Sequence, residues 1–365
     1  MRRIPALDGW RGIAILLVLF DHLQSQWLGR YLYPWTLSGE HGVTLFFVLS
    51  GYLITSNLLR SPNLKAFYIR RFFRLMPVAW AYLLFIFVLS LAFPADRPSI
   101  ANFTGCLLFF RNYVSQDSPF LSTGHFWSLS IEEQFYLIWP AILIFWGRKP
   151  AAWLAFAAAI SCAAYRTIHW DQFDSLWPSF QTHIRADALC VGCLLALACD
   201  MPKLKVNMAK RLDLLMILAL LTVVICVHRF HRLPPLYESV AIAILISGPV
   251  LRPDRFYSRA LAFKPLAAIG LVSYSLYVWQ QFFTRSYPRN ATLFLDCLIP
   301  VVAVLSYQFL EKPFISMGRR LSDASSPRQP SCAPYDSEPV GPNQAFESFE
   351  PAGVGGAASN VDIDF

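Results

Sequence analysis

The sequence predicts an all-α, polytopic integral membrane protein of about ten transmembrane helices, with one re-entrant or interfacial segment and both termini in the cytoplasm. Three observations carry this expectation. Of the 365 residues, 56% are hydrophobic and only 15% charged, and the mean hydropathy is +0.44, which is too little charge to cover a soluble domain of this length. The apolar residues gather into separate runs of the roughly 17–25 residues that a helix needs to cross a bilayer. The basic residues cluster between those runs, mostly on one side. The net charge of +8 therefore encodes topology rather than a groove for nucleic acid, and no nucleic-acid partner is expected.

Taken in order, the runs fall near residues 10–27, 41–59, 75–93, 131–147, 151–168, 184–200, 211–228, 236–252, 265–284 and 291–311. Threading the chain back and forth puts 22 of the 31 basic residues on one face, which is the cytoplasmic face by the positive-inside rule. Ile100–Phe110 is apolar but too short to span, and counting it would invert every later basic cluster, so it reads as re-entrant or interfacial. Arg2 and Arg3 precede the first run as in a signal peptide. Arg11 and the Asp21-His22 pair interrupt that run, however, and no small-residue cleavage site follows, so it is expected to be retained as a span. The membrane domain is assigned to residues 1–321. Residues 322–365 turn to Ser, Pro, Gly and scattered acids, and read as a disordered cytoplasmic tail.

Seven of the eight cysteines lie in apolar segments and read as small buried residues. Cys190 and Cys193 form a C-x-x-C without a second pair at ligand spacing, so neither a disulfide framework nor a metal site is implied. The 56 aromatic residues suit lipid-facing and interfacial positions. The chain shows no internal repeat, in contrast to many transporters.

Ionisable residues inside apolar segments point to function, because burying them in lipid is costly. Arg11 and His22 stand eleven positions apart in the first span, three turns plus about 20°, and share a face with a rise of roughly 16 Å between them. Arg11 thus lies near a membrane surface and His22 deeper, where a neutral imidazole can act as a base; a merely packed histidine is the competing account. Asp21 points about 100° away from His22. Arg71 and Arg74, at i and i+3 on a helix entering from the cytoplasm, suit bidentate binding of phosphate, although a topological anchor would look the same. Glu132 and Glu133 adjoin at the outer start of a later span. Ser130 and Glu133 could form a capping box there, while Glu132 is the better candidate for chemistry. Arg185 and Asp187 are two apart, do not face each other, and each needs a partner elsewhere. The layout suits transfer of an activated group from a phosphate-bearing donor inside to an acceptor outside.

The blocks Leu7-Asp8-Gly9-Trp10-Arg11-Gly12 with His22, Gly42 to Ile54 (GVTLFFVLSGYLI), Arg71-x-x-Arg74 and Phe126-Trp127-Ser128-Leu129-Ser130-Ile131-Glu132-Glu133-Gln134 resemble acyltransferase family 3. So do Arg185-Ala186-Asp187-Ala188-Leu189, Ser273 to Trp279 and Leu310-Glu311-Lys312-Pro313-Phe314. The resemblance covers about residues 5–315, in family order. It implies a bacterial inner-membrane, multi-pass O-acyltransferase that moves an acyl group, most commonly acetyl, from cytoplasmic acyl-CoA to a hydroxyl of an extracytoplasmic or lipid-linked glycan. No tightly bound cofactor or metal is implied. His22 and Glu132 become the catalytic candidates, His22 as base or covalent acyl carrier. Arg11, Arg71 and Arg74 would hold the donor, and Glu133, Asp187, Ser128 and Asp21 would bind or tune the acceptor. One departure stands out: after Tyr277-Val278-Trp279, relatives often carry a histidine where this chain has Gln280 and Gln281, and an amide cannot take a proton at neutral pH. No segment resembles the esterase-like domain that some members append. The alternatives are a transporter or exporter using the same polar path without covalent chemistry, and, more remotely, a sensor binding metal through His169, His183, His228 and His231.

Overall fold

The computed structural model describes residues 4–24, 39–93, 98–114, 121–169, 180–229, 235–284 and 289–324. The expected tail from residue 325 onward and His231 lie outside them, as does the side chain of His228. Every regular element among the described residues is helical, because in hydrocarbon a helix satisfies its own backbone groups.

Helix α1 (Pro5–Gln24) opens on a proline and carries Asp8 in its first turn, where a proline lacks nothing and an acid meets the helix dipole. Helix α2 (Gly39–Arg60) is the most enclosed, burying residues on every face. Helix α3 (Leu64–Ala92) is capped by Asn63, whose side chain accepts from the Ala66 N–H at 2.9 Å. It therefore begins before the apolar run and takes Arg70, Arg71 and Arg74 onto its first turns. The short α4 (Ile100–Leu107) starts at Ser99, which accepts from the Asn102 N–H, and then breaks into 3-10 turns at 111–113 and 121–123. Its eight residues are far too few to span.

Helices α5 (Phe126–Trp146) and α6 (Arg148–Ile168) are joined by Gly147 alone, at a φ of 82° that favours glycine. There follow α7 (Thr182–Arg185), α8 (Asp187–Asp200), α9 (Pro202–Arg229), α10 (Pro235–Leu251), α11 (Phe256–Leu261), α12 (Lys264–Leu271) and α13 (Ser273–Phe283). The expected run 265–284 is thus divided at Val272 into α12 and α13. Helix α14 (Arg289–Ser306) passes through a π turn at Tyr307–Glu311 into α15 (Lys312–Ala324), so the helix runs past the expected end of the last span and three residues into the expected tail. Four segments among the described residues are long and apolar enough to cross a membrane: Gly39–Arg60, Leu64–Ala92, Arg148–Ile168 and Leu295–Ala324.

One hydrophobic core joins α1, α2, α3, α5, α8 and α13. Large apolar residues such as Leu84, Leu137 and Trp153 stand exposed on the outer helix faces, as a lipid-facing surface requires. At the centre α2 and α8 touch backbone to backbone. A Cβ on Gly51 would fall 2.0 Å from the Leu189 carbonyl oxygen, and one on Gly192 would fall 2.1 Å from that of Val48. Only glycine permits this approach.

One sequence expectation is corrected here. Ser130 does not cap α5, which begins a turn earlier at Phe126. The Ser130 hydroxyl donates back to the Phe126 carbonyl at 2.8 Å and accepts from the Arg111 N–H at 3.1 Å. The chain already turns helical at His125, and no capping box forms with Glu133.

Candidate active site

A cleft opens between α1, α2, α3, α5 and α13. Three guanidinium groups reach it: Arg11 from α1, and Arg71 and Arg74 from α3. Arg74 is buried, 6% exposed. The Arg71 guanidinium carbon stands over the Tyr136 ring, 3.7 Å from its centroid, a cation–π contact. None of the three makes an ion pair with a carboxylate among the described residues. Two acids temper them from farther away. Glu132 lines the cleft and accepts from the Ser50 hydroxyl at 2.8 Å. Glu311, 1% exposed in the π turn, accepts from the Ser275 hydroxyl at 2.7 Å and feels the charges of Arg74 and Arg11. Unpaired cations in a half-enclosed cleft are matched by a multiply charged anion.

His22 sits three turns above Arg11 on α1. Its Nδ1–H donates to the Val18 carbonyl at 2.8 Å, so Nε2 carries the lone pair and is the basic nitrogen. It does not line the cleft itself. The link runs through Ser128 and Tyr277, which do line it and whose hydroxyls bond each other. One of the two donates to the other, and the hydroxyl whose proton is left over donates to the His125 carbonyl, which lies 3.1 Å from Ser128 Oγ and 3.3 Å from the Tyr277 oxygen. The His125 ring stands close enough to His22 to feel its charge. Arg11 and Glu132 thus share the cleft, while His22 and His125 stand within electrostatic reach of each other.

The sequence matches the profile of the acyltransferase domain family over residues 4–306. The chain belongs to that family. Relatives include the peptidoglycan O-acetyltransferase OatA of Listeria monocytogenes, 30% identical over 86% of this chain and 56% of the relative. The O-acetyltransferase OatA of Staphylococcus aureus is 29% identical over 87% of this chain and 58% of its own, and YrhL of Bacillus subtilis is 32% identical over 87% and 56%. The chain thus spans somewhat over half the length of these curated relatives. No solved structure matches it. With its long apolar helices, this member of the acyltransferase domain family is a multi-pass membrane protein.

In this family member the residues singled out from sequence divide by location. Arg11, Arg71, Arg74, Glu132 and Ser128 share the cleft. Glu132 was expected at the outer interface, apart from the arginines. It lies beside them because α5 starts inside the protein, and Glu132 is nearly two turns along it. Glu133 is adjacent, within electrostatic reach of Arg71. Asp21 turns toward α2, where its carboxylate would lie 3.0 Å from a Cβ on Gly39. Asp187 is held by Arg166 in a buried bidentate pair at 2.5 and 3.3 Å, a structural arrangement away from the cleft. Arg185 pairs instead with Glu40 at 2.8 Å, near the stacked rings of Trp127 and Phe180. Gln280 is fully buried and its amide donates only weakly, to Gln281 at 3.5 Å. His169 and His183 both pack on the Tyr165 ring, and no cluster of metal-ligating side chains occurs among the described residues.

Sequence reasoning passed over Ser50, Tyr136, Glu311 and His125. Glu311 was legible as an intramembrane carboxylate, and His125 as the residue immediately before the block Phe126 to Gln134. The other two are ordinary span residues until the helices are packed.

Proposed function

We propose that this chain is a bacterial inner-membrane O-acetyltransferase that takes an acetyl group from cytoplasmic acetyl-CoA and delivers it to a hydroxyl of an extracytoplasmic cell-wall glycan. The observation that carries the reading is the cleft where three arginines meet without a carboxylate ion pair among the described residues, with His22 three turns along α1 from Arg11. A nucleotide-linked pyrophosphate suits the arginines, and a thioester on a flexible arm suits the rise of roughly 16 Å from Arg11 to His22. Relatives named as peptidoglycan O-acetyltransferases support the class of acceptor.

In this reading Arg11, Arg71 and Arg74 hold the donor, and Glu132, held by Ser50 in the same cleft, orients the acceptor or tunes His22. His22 takes the acceptor proton through Nε2 or carries the acetyl group there. Glu133 and Ser128 shape the acceptor side. The ten apolar runs form ten spans with both termini cytoplasmic and α4 re-entrant. Residues 1–321 constitute the membrane domain, with a cytoplasmic tail beyond.

The test is transfer of radiolabelled acetyl from acetyl-CoA into cell-envelope glycan by membranes holding wild type or His22→Ala at equal abundance. Label with wild type alone supports the reading. Equal label with both makes His22 structural. No label, with the donor chemically unchanged, would favour an exporter.

A further inference from the structure

His125 is buried, 4% exposed, yet neither ring nitrogen makes a hydrogen bond; the Val278 carbonyl is near but no bond geometry is met. A neutral imidazole presents one donor and one acceptor, and leaving both unmatched inside a protein is unusual. The ring is enclosed by aromatic neighbours, with centroids at 5.4 Å to Tyr82 and 5.7 Å to Tyr277. Tyr82 also packs edge-on against Trp279 at 5.4 Å. The Trp279 indole N–H and the Gln280 amide oxygen are likewise buried and unmatched. The surroundings of His125 therefore offer donors and acceptors together, with Arg111 as the cation within electrostatic reach, whereas three guanidinium groups gather in the cleft. A phosphate, which only accepts, could satisfy the indole and one imidazole nitrogen but not the acceptors. A carbohydrate hydroxyl, which donates and accepts, satisfies either kind.

We propose that His125 is a second histidine of the reaction centre, binding the acceptor hydroxyl across from His22. The assignment rests on the acetyl-transfer reading above. The His125 N–H holds the acceptor oxygen and turns its O–H toward Nε2 of His22. As the oxygen bonds the acetyl carbon, the O–H proton passes to His22 and the C–S bond breaks. The proton then moves from His22 to the departing thiolate, so that a hydroxyl and a thioester yield an ester and a thiol. Ser128 and Tyr277, whose hydroxyls bond each other with one donating to the His125 carbonyl, hold this end of α5 against the cleft.

The experiment measures kinetics of the full chain in lipid nanodiscs, with labelled acetyl-CoA and soluble uncross-linked peptidoglycan strands as acceptor. His125→Ala is expected to lower kcat/KM for the strands about 100-fold, raising the KM for strands and leaving the KM for acetyl-CoA within about twofold. His125→Gln keeps an N–H donor and should recover part of the loss. Wild-type acceptor kinetics in His125→Ala, or equal damage to both KM values, overturns the assignment. If the alanine variant fails to fold, His125→Gln decides: a raised acceptor KM supports the assignment and an unchanged one overturns it. A wild-type protein that transfers nothing from acetyl-CoA to the strands shows instead that the underlying reading fails, and the role of His125 falls with it.

Discussion

Gly51→Ala should damage the active site through a helix contact that touches no substrate. The added Cβ would stand 2.0 Å from the Leu189 carbonyl oxygen, against 3.4 Å for an ordinary contact. Helices α2 and α8 must therefore part by about 1.4 Å. Forcing a close-packed interior apart in this way costs about 1–3 kcal/mol. Ser50, the preceding residue, holds Glu132 at 2.8 Å, and a shift of that size in α2 takes the bond out of hydrogen-bonding range. Misplacement of catalytic groups by about 1 Å can cost about 100-fold in rate. Acetyl transfer in nanodiscs, measured beside the thermal midpoint, should show both losses. Gly192→Ala, which would meet the Val48 carbonyl at 2.1 Å, should reproduce them. Because one separation relieves both clashes, the double variant should be little worse than either single one. Wild-type turnover and midpoint in Gly51→Ala would refute the reasoning, and additive losses would show that the two glycines act independently.

Two further outcomes follow from the charges. Arg71→Lys loses both the planar fork and the guanidinium contact over Tyr136, so the KM for acetyl-CoA should rise about tenfold with kcat nearly unchanged; a fall in kcat alone would place Arg71 at the reacting bond. Asp187→Asn strips the buried Arg166 of its counter-charge and should cost about 3–5 kcal/mol, seen as a lower midpoint or poor membrane yield. Transfer per folded molecule should stay within about twofold, whereas a stable but slow Asp187→Asn protein would restore that residue to a tuning role.

The fold and the site were legible to different depths. Runs of apolar residues announce helices in lipid because no other open backbone is tolerated there, and the short Ile100–Phe110 run correctly fell below spanning length. Arg71 and Arg74 could be assigned to one face from their i, i+3 spacing, and both line the cleft. The level of Glu132 could not. It depends on where α5 starts, and the helix starts at Phe126 rather than at the Ser130 that looked like a cap. Asp187 looked functional as a charge within an apolar segment, but its partner Arg166 lies 21 positions earlier on α6, a pairing that no local spacing reveals.

By itself the sequence determined the class of protein, the order of its helices and the residues able to carry charge into lipid. All of these are local properties, set by the transfer cost of each side chain and by helical periodicity. Tertiary structure alone decided which of those charges meet. It brought Glu132 into one cleft with three arginines, paired Asp187 with Arg166, turned Glu311 into electrostatic reach of Arg74 and Arg11 through a π turn, and set His125 within electrostatic reach of His22 with its nitrogens unmatched. Those encounters depend on helices packing closely enough to touch, and it is the bare backbones at Gly51 and Gly192 that allow this approach at the centre of the bundle.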